Sequence, residues 1–197
     1  MNNTVNNKFK NAIGLFDKAN SSDPYTESSE GKEFPKELLY AIRMTQRLNQ
    51  FEPEASIAVQ LAVRCQHICR WEIRRDSYEM NRKGYLTWRK DLAKFHAIRA
   101  SKILIEVGYD DSLIDKVKLL LQKKQLKRNK ETQLLEDVVC LVFLEFYFEK
   151  FAEKYSEEKL IEIVKKTWIK MSDKGHEWAL KLNFSEKPMK LIQKALA

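Results

Sequence analysis

Apolar residues recur at three- and four-residue spacing along most of the chain, the period of a helix with one buried face. Phe9, Ile13 and Phe16 predict a first helix over residues 5–19, ended by Asn20-Ser21-Ser22-Asp23-Pro24. A polar loop over 20–34 follows. Pro35 stands near a first helical turn, a place that suits its fixed φ, and Leu38, Leu39, Tyr40, Ile42, Met44 and Leu48 carry a second helix to Glu52-Pro53. A third helix is predicted from Glu54 to Ile73, with Ala58, Leu61, Ala62, Cys65, Ile68 and Cys69 on its apolar face. Residues 74–86 read as an ordered loop. A fourth helix over 87–107 rests on Trp88, Leu92, Phe95, Ala100, Ile103 and Val107 and stops at Gly108. A fifth, over 111–124, starts at the caps Asp111 and Ser112. Helices over 130–154, 156–171, 172–182 and 185–196 complete the chain.

The helix over 130–154 differs from the others. From Leu134 to Phe148 it is apolar on almost every side, so it is expected to be buried all round, the centre of the bundle. It is too short, and too interrupted by carboxylates, to span a bilayer. Cys140, Leu141, Leu144, Phe148 and Phe151 fall within about 60° of Asp137 around the helix. Asp137 therefore points into the core, where a carboxylate needs a cation, a histidine, a metal ion or several donors. Glu136 lies about 100° away, toward Phe143, Tyr147, Lys150 and Lys154, which suits a supporting role or a surface ion pair.

Composition agrees with an all-α chain. It has 197 residues, 44% of them hydrophobic, with only 5 glycines and 4 prolines. These figures suit one domain over 1–197, a bundle of seven to nine helices around the central one. A net charge of +8 favours an anionic partner: a nucleotide, another phosphorylated metabolite, or RNA. Cys65, Cys69 and Cys140 sit among apolar residues and read as reduced core thiols of a cytoplasmic protein. The start, Met1-Asn2-Asn3-Thr4-Val5-Asn6-Asn7, has no apolar signal stretch, and no transmembrane segment is expected.

The chemistry-bearing residues are few. On the third predicted helix, Val63, His67, Arg70 and Arg74 form a stripe at i, i+4, i+7 and i+11, flanked by Trp71. Such a stripe faces either solvent or an anion. The following loop mixes Arg74, Arg75, Arg82 and Lys83 with Tyr78 and Tyr85, a combination that can hold phosphate and base together. His96 lies inside the apolar face of the fourth helix, bordered by Arg89 and Arg99. The run Lys123-Lys124-Gln125-Leu126-Lys127-Arg128 is a basic connection. Walker, dinucleotide, nucleophile-elbow and His-Glu-x-x-His motifs are all missing. That leaves His67, Glu72, His96, Glu136 and Asp137 as catalytic candidates. Histidines and carboxylates on three helices suit a mixed nitrogen–oxygen metal site or a hydrogen-bonded network without metal.

The order of features resembles the HD-type helical phosphohydrolases over residues 36–150. Leu61-Ala62-Val63-Arg64-Cys65-Gln66-His67-Ile68 resembles the helix bearing their His-Asp pair, with Gln66-His67 in its place. Tyr40 stands where their first histidine falls. Phe95-His96-Ala97 resembles the helix with the further histidine, and Gln133-Leu134-Leu135-Glu136-Asp137 the one with the final aspartate. The resemblance implies an HD-like core over 36–154, C-terminal helices over 155–197, and a divalent metal on His67, His96 and Asp137.

A more specific resemblance covers nearly the whole chain. Phe16-Asp17-Lys18-Ala19-Asn20 with Asp23-Pro24, Lys36-Glu37-Leu38-Leu39-Tyr40-Ala41-Ile42-Arg43-Met44, and Arg64-Cys65-Gln66-His67-Ile68-Cys69-Arg70-Trp71-Glu72 carry its first half. Gly84-Tyr85-Leu86-Thr87-Trp88-Arg89, Leu135-Glu136-Asp137-Val138 and Lys166-Thr167-Trp168-Ile169-Lys170-Met171-Ser172 carry the rest. Together they are similar to the bacterial and fungal domain-of-unknown-function family 4202, which brings no established activity.

Three functions follow as expectations. The first is an HD-like phosphohydrolase acting on a nucleotide or other phosphorylated small molecule. There His67, His96 and Asp137 hold a metal or act as acid and base, and Glu136 or Glu72 orients water. Arg70, Arg74, Arg75, Lys123, Lys124 and Lys127 neutralise phosphate. The second is a non-catalytic nucleotide- or RNA-binding module using Arg70, Arg74, Arg75, Tyr78, Arg82, Tyr85, Trp88 and Arg89. The third is a helical scaffold in which His96 and Asp137 are a structural pair.

Overall fold

Ten α-helices and one two-stranded hairpin are found among the described residues. The computed structural model describes residues 2–196. The chain forms two compact units, Met1–Lys124 and Gln125–Ala197.

The first unit contains α1 (Asn2–Asn20), β1 (Thr26–Ser29), β2 (Lys32–Pro35), α2 (Lys36–Phe51), α3 (Ile57–Arg64), α4 (Arg82–Val107) and α5 (Asp111–Leu121). α5 packs on α3 and α4, α2 on α3, and α1 on α2, α3 and α4. Phe16, Met44, Leu48, Leu61, Ile68, Leu104 and Leu120 are fully buried at its centre. Each such side chain contributes about 1.5–3 kcal/mol by leaving water. Side-chain caps fix where the helices start. Ser56 accepts from the Val59 amide, Asn81 from Gly84 and Asp110 from Leu113. Gly108, at φ 84°, closes α4 as expected.

Three local departures from the sequence reading shape this unit. The polar loop over 20–34 holds the β1–β2 hairpin, turned by Glu30 and Gly31 at positive φ. Its strands show no apolar alternation, so period-two patterning gave no signal. Secondly, α3 ends at Arg64 instead of running to Ile73. Cys69 adopts φ 51°, and its amide donates to Asn20 Oδ1 at 3.0 Å, a bond to a distant side chain in place of a helical one. A 3-10 turn, Arg70–Glu72, follows. The predicted stripe is therefore broken: Val63 is fully buried, whereas Arg74 pairs with Asp76 on the surface. Lastly, α4 begins at Arg82, five residues before the predicted start, because Asn81 supplies the cap.

The second unit contains α6 (Lys130–Val142), a π-helical turn (Phe143–Tyr147), α7 (Phe148–Ala152), α8 (Glu157–Lys170), α9 (Asp173–Ala179) and α10 (Glu186–Leu196). α6, the π turn and α7 follow without a break and together match the predicted helix over 130–154. α8 and α10 pack together, and Leu135, Leu141, Phe148, Leu160 and Met171 are fully buried. Asp137 is 2% exposed, as its helical position requires. Among the described residues no helix is long and apolar enough to cross a membrane.

Candidate functional site

Within the first unit, segments far apart in sequence meet around Glu37. Asp23 caps the start of α2: its carboxylate accepts the Tyr25 amide through Oδ1 and the Glu37 amide through Oδ2, both at 2.9 Å. Asn20 reaches the Glu37 carbonyl with Nδ2 and takes the Cys69 amide on Oδ1. Asp17 grips Arg64 with both oxygens at 2.7 Å, and Arg64 extends to Thr45 on α2. The end of α1, the start of α2 and the turn after α3 are thus fastened to one another by charge-assisted and backbone hydrogen bonds.

The fastened turn delivers His67 and Arg70. His67 Nδ1 lies 3.2 Å from Glu37 Oε2, and its Nε2 lies 3.3 Å from Arg70 Nη1. A guanidinium only donates, so Nε2 accepts and the ring proton sits on Nδ1, donating to Glu37. Tyr40 stacks on the His67 ring at 4.1 Å and 12°. Arg70 lies over the Trp88 ring at 4.8 Å and is 3.8 Å from Glu37 Oε1. Trp88 is held by its own Nε1 donation to the Ile73 carbonyl at 3.0 Å.

His96 completes the cluster from α4. Its ring centre is 5.9 Å from that of His67. Nδ1 donates to the Ile68 carbonyl at 2.9 Å, which leaves Nε2 as a bare acceptor. Nε2 is buried and has no hydrogen-bond partner among the described residues.

The field around these rings is cationic. Burial pushes the His67 pKa well below its ordinary value, and Arg70, Lys123, Arg89 and Lys36 push it further the same way. Burial takes His96 to about 3, aided by His67 and Arg70 and opposed by the Ile68 carbonyl and Glu37. Glu37 is raised by burial, against the pull of Arg70, Lys36 and His96. Both imidazoles are therefore neutral at pH 7, and the Glu37 carboxyl faces Arg70 and Lys36.

These residues do not fit a divalent cation. His67 Nε2 already receives Arg70, so one imidazole nitrogen is open, and the surrounding charge is positive. Among the described residues no group of three or more His, Cys, Asp and Glu side chains is placed to hold a metal ion.

Glu136 and Asp137 belong to the second unit, and their partners there are of another kind. Asp137 Oδ1 accepts from Gln133 Nε2 at 3.0 Å and from the Ser172 amide at 2.8 Å. Its Oδ2 accepts from Ser172 Oγ at 2.6 Å. Ser172 is also the cap of α9, accepting from the Gly175 amide. What meets the buried carboxylate is a set of neutral donors that fixes the α8–α9 corner. Glu136 is also buried, at 3% exposure, rather than lying at the surface, and Lys170 approaches it to 3.7 Å.

The remaining candidates scatter. Glu72 pairs with Arg99 at 3.2 Å, both partly exposed. Tyr78 donates to Asp91 at 3.2 Å. Arg75 binds the Tyr78 and Asn81 carbonyls and lies 6.0 Å from the Trp88 ring centre. Arg89 donates to the Tyr85 hydroxyl at 3.4 Å, and Tyr85 lies 5.9 Å from Trp88. Arg82 and Lys83 are exposed. Lys124 is exposed at the end of the first unit, next to the half-buried Lys123, which adopts φ 51°. Lys127 in the second unit donates to the Met171 carbonyl at 2.7 Å. Arg70, Trp88, Arg89 and Lys123 are the ligand-binding candidates that act on or touch the histidine cluster.

Sequence reasoning missed Glu37, Asn20 and Asp23. Glu37 reads as an ordinary first-turn acid of a helix, and Asn20 and Asp23 as loop residues. The available signal was their presence in the long segments that carry the second resemblance, which meet here. Comparison with curated proteins and with solved structures finds no match. The family comparison does: residues 10–192 match the domain of unknown function DUF4202, and the chain belongs to that family.

Proposed function

We propose that the first unit binds a phosphorylated small molecule, with a nucleotide the foremost candidate, at the cluster of Glu37, His67, Arg70 and His96. One observation carries this reading. Arg70, Lys123, Arg89 and Lys36 all act on His67, beside the buried carboxyl of Glu37. Such an excess of positive charge beside buried rings is relieved by an anion. Arg70 is placed for it: its guanidinium is stacked on Trp88 and a quarter of its side chain remains exposed (27%). Tyr85, 42% exposed and next to Trp88 and Arg89, offers a face for a base.

In this reading the chain is a binding module derived from the HD-type helical phosphohydrolases, in which Tyr40 and Gln66 replace metal-binding side chains. A cytoplasmic location suits its three buried free thiols. The test is thermal unfolding of the purified protein against nucleotides, sugar phosphates and inorganic phosphate. A rise in Tm that Arg70→Met abolishes supports the reading, and no rise with any of them at millimolar concentration overturns it.

A second reading, a phosphohydrolase that works without a metal, is favoured by the pairing of His67 Nδ1 with Glu37. A carboxylate that orients an imidazole is the arrangement of a general base. Release of phosphate from the ligands that bind, lost in His67→Gln, would select it. An RNA ligand would instead show affinity falling steeply with salt.

A further inference from the structure

The open acceptor on His96 narrows what the anion carries. His96 is 4% exposed, its Nδ1 is committed to Ile68, and its buried Nε2 lacks a partner among the described residues. A buried acceptor without a donor costs about 1–3 kcal/mol, so a site that keeps one is matched to something that supplies the donor. His67 cannot supply it, because its only ring proton lies on Nδ1, toward Glu37. Arg70 gives Nη1 to His67 Nε2 and lies over the Trp88 ring, and it makes no hydrogen bond to His96 Nε2.

Resting on the phosphate reading above, we infer that the ligand is a hydroxylated phosphate ester, a sugar phosphate or ribonucleotide, whose hydroxyl donates to His96 Nε2. The phosphate meets Arg70 at the solvent side, where His67 and Arg70 are 23% and 27% exposed. The acceptor lies one ring further in, with 5.9 Å between the imidazole centres. A group that reaches so buried an acceptor must be small and must donate, as a hydroxyl does. An ionised phosphate oxygen does not fill that role, since it has no proton to donate.

The test measures binding of ribose 5-phosphate and of butyl phosphate by calorimetry. These probes share the ester phosphate and differ in hydroxyl groups. The wild type is expected to bind ribose 5-phosphate about tenfold more tightly, the worth of one buried hydrogen bond. His96→Phe keeps an aromatic ring and removes the acceptor, so it should erase that preference by weakening ribose 5-phosphate more than butyl phosphate. His96→Gln, which can donate to Ile68 and accept from the ligand, should restore part of it. Equal wild-type affinity for the two esters overturns the inference, and so does an equal loss of both in a folded His96→Phe. Should that variant fail to fold, the wild-type comparison decides by itself. Failure of both esters and of inorganic phosphate to bind overturns the phosphate reading, and this inference with it.

Discussion

His67 and Glu37 lie thirty residues apart in sequence and 3.2 Å apart as nitrogen and oxygen. The contact sets the tautomer of His67, holds its ring against Tyr40, and gives Arg70 its buried counter-ion. Glu37→Gln keeps the shape and removes the charge. Arg70 then faces the cluster without a carboxylate, and the expected cost is about 1–3 kcal/mol of stability. Urea unfolding of wild type and variant measures it. A change under about 0.5 kcal/mol would mean that the pair is spare.

Acid should act on the same cluster. The folded-state pKa of His96 is about 3, below the ordinary 6.5 of an exposed histidine. Above pH 6.5 neither the folded nor the unfolded chain protonates it, and it contributes no pH dependence. As pH falls from 6.5 toward 3 the unfolded chain takes up a proton that the folded chain refuses, so stability is lost across that window. His67, also depressed, adds to the loss. The combined effect is expected to be a few kcal/mol by pH 4. His96→Gln should flatten the acid limb of unfolding free energy against pH. An unchanged limb would contradict the neutral, buried ring.

Period and punctuation made most of the fold legible. The extents of α2, of the long rod beginning at Lys130, and of α8 follow from apolar spacing together with Pro35, Glu52-Pro53 and the Ser156 cap. Asp137 was legible as buried because helical geometry puts it among Leu141, Leu144 and Phe148. Its partners were not. Ser172 follows α8 in a later turn, and no local pattern says that a backbone amide will turn toward a carboxylate thirty-five residues earlier.

The histidine site was half legible. His67, Arg70 and His96 stand out as rare residue types on apolar segments. The predicted helix shared by His67 and Arg70 does not form: α3 ends at Arg64, and the Asn20 side chain holds the Cys69 amide in the turn that follows. A tertiary hydrogen bond outranked helical periodicity here, and single-sequence patterns carry no trace of such bonds. Glu37 stayed hidden for the same reason: only the arriving turn turns a first-turn acid into a buried partner.

The start of α4 depends on close backbone approach at Gly84. A Cβ there would lie 2.1 Å from the Glu79 carbonyl oxygen, which no side chain movement relieves. Gly84→Ala should displace the Asn81 cap and the first turn of the helix, at a cost of about 2–4 kcal/mol. Trp88 stands one turn later and carries Arg70, so the variant should also change the Trp environment. Near-ultraviolet circular dichroism with thermal unfolding checks both effects. A variant with native Tm and spectrum would place the start of the helix elsewhere.

Asp137 and Gly175 should be energetically coupled. The carboxylate accepts three hydrogen bonds from Gln133 and Ser172, so Asp137→Ala should cost about 2–4 kcal/mol. A Cβ on Gly175 would sit 2.8 Å from Asp137 Oδ1, so Gly175→Ala should also destabilise, by about 1–3 kcal/mol. Once Asp137→Ala has removed the oxygen, the added methyl meets an opened space, and alanine is the better helix former by about 1 kcal/mol. The double variant should therefore be more stable than the sum of single losses allows, by at least about 1 kcal/mol. Met171 Cβ, 3.3 Å from the same position, limits how far the relief goes. Chemical unfolding of the four proteins in one cycle measures the coupling. Strict additivity would show that the carboxylate does not press on α9, and would remove Asp137 as the fastening of the α8–α9 corner.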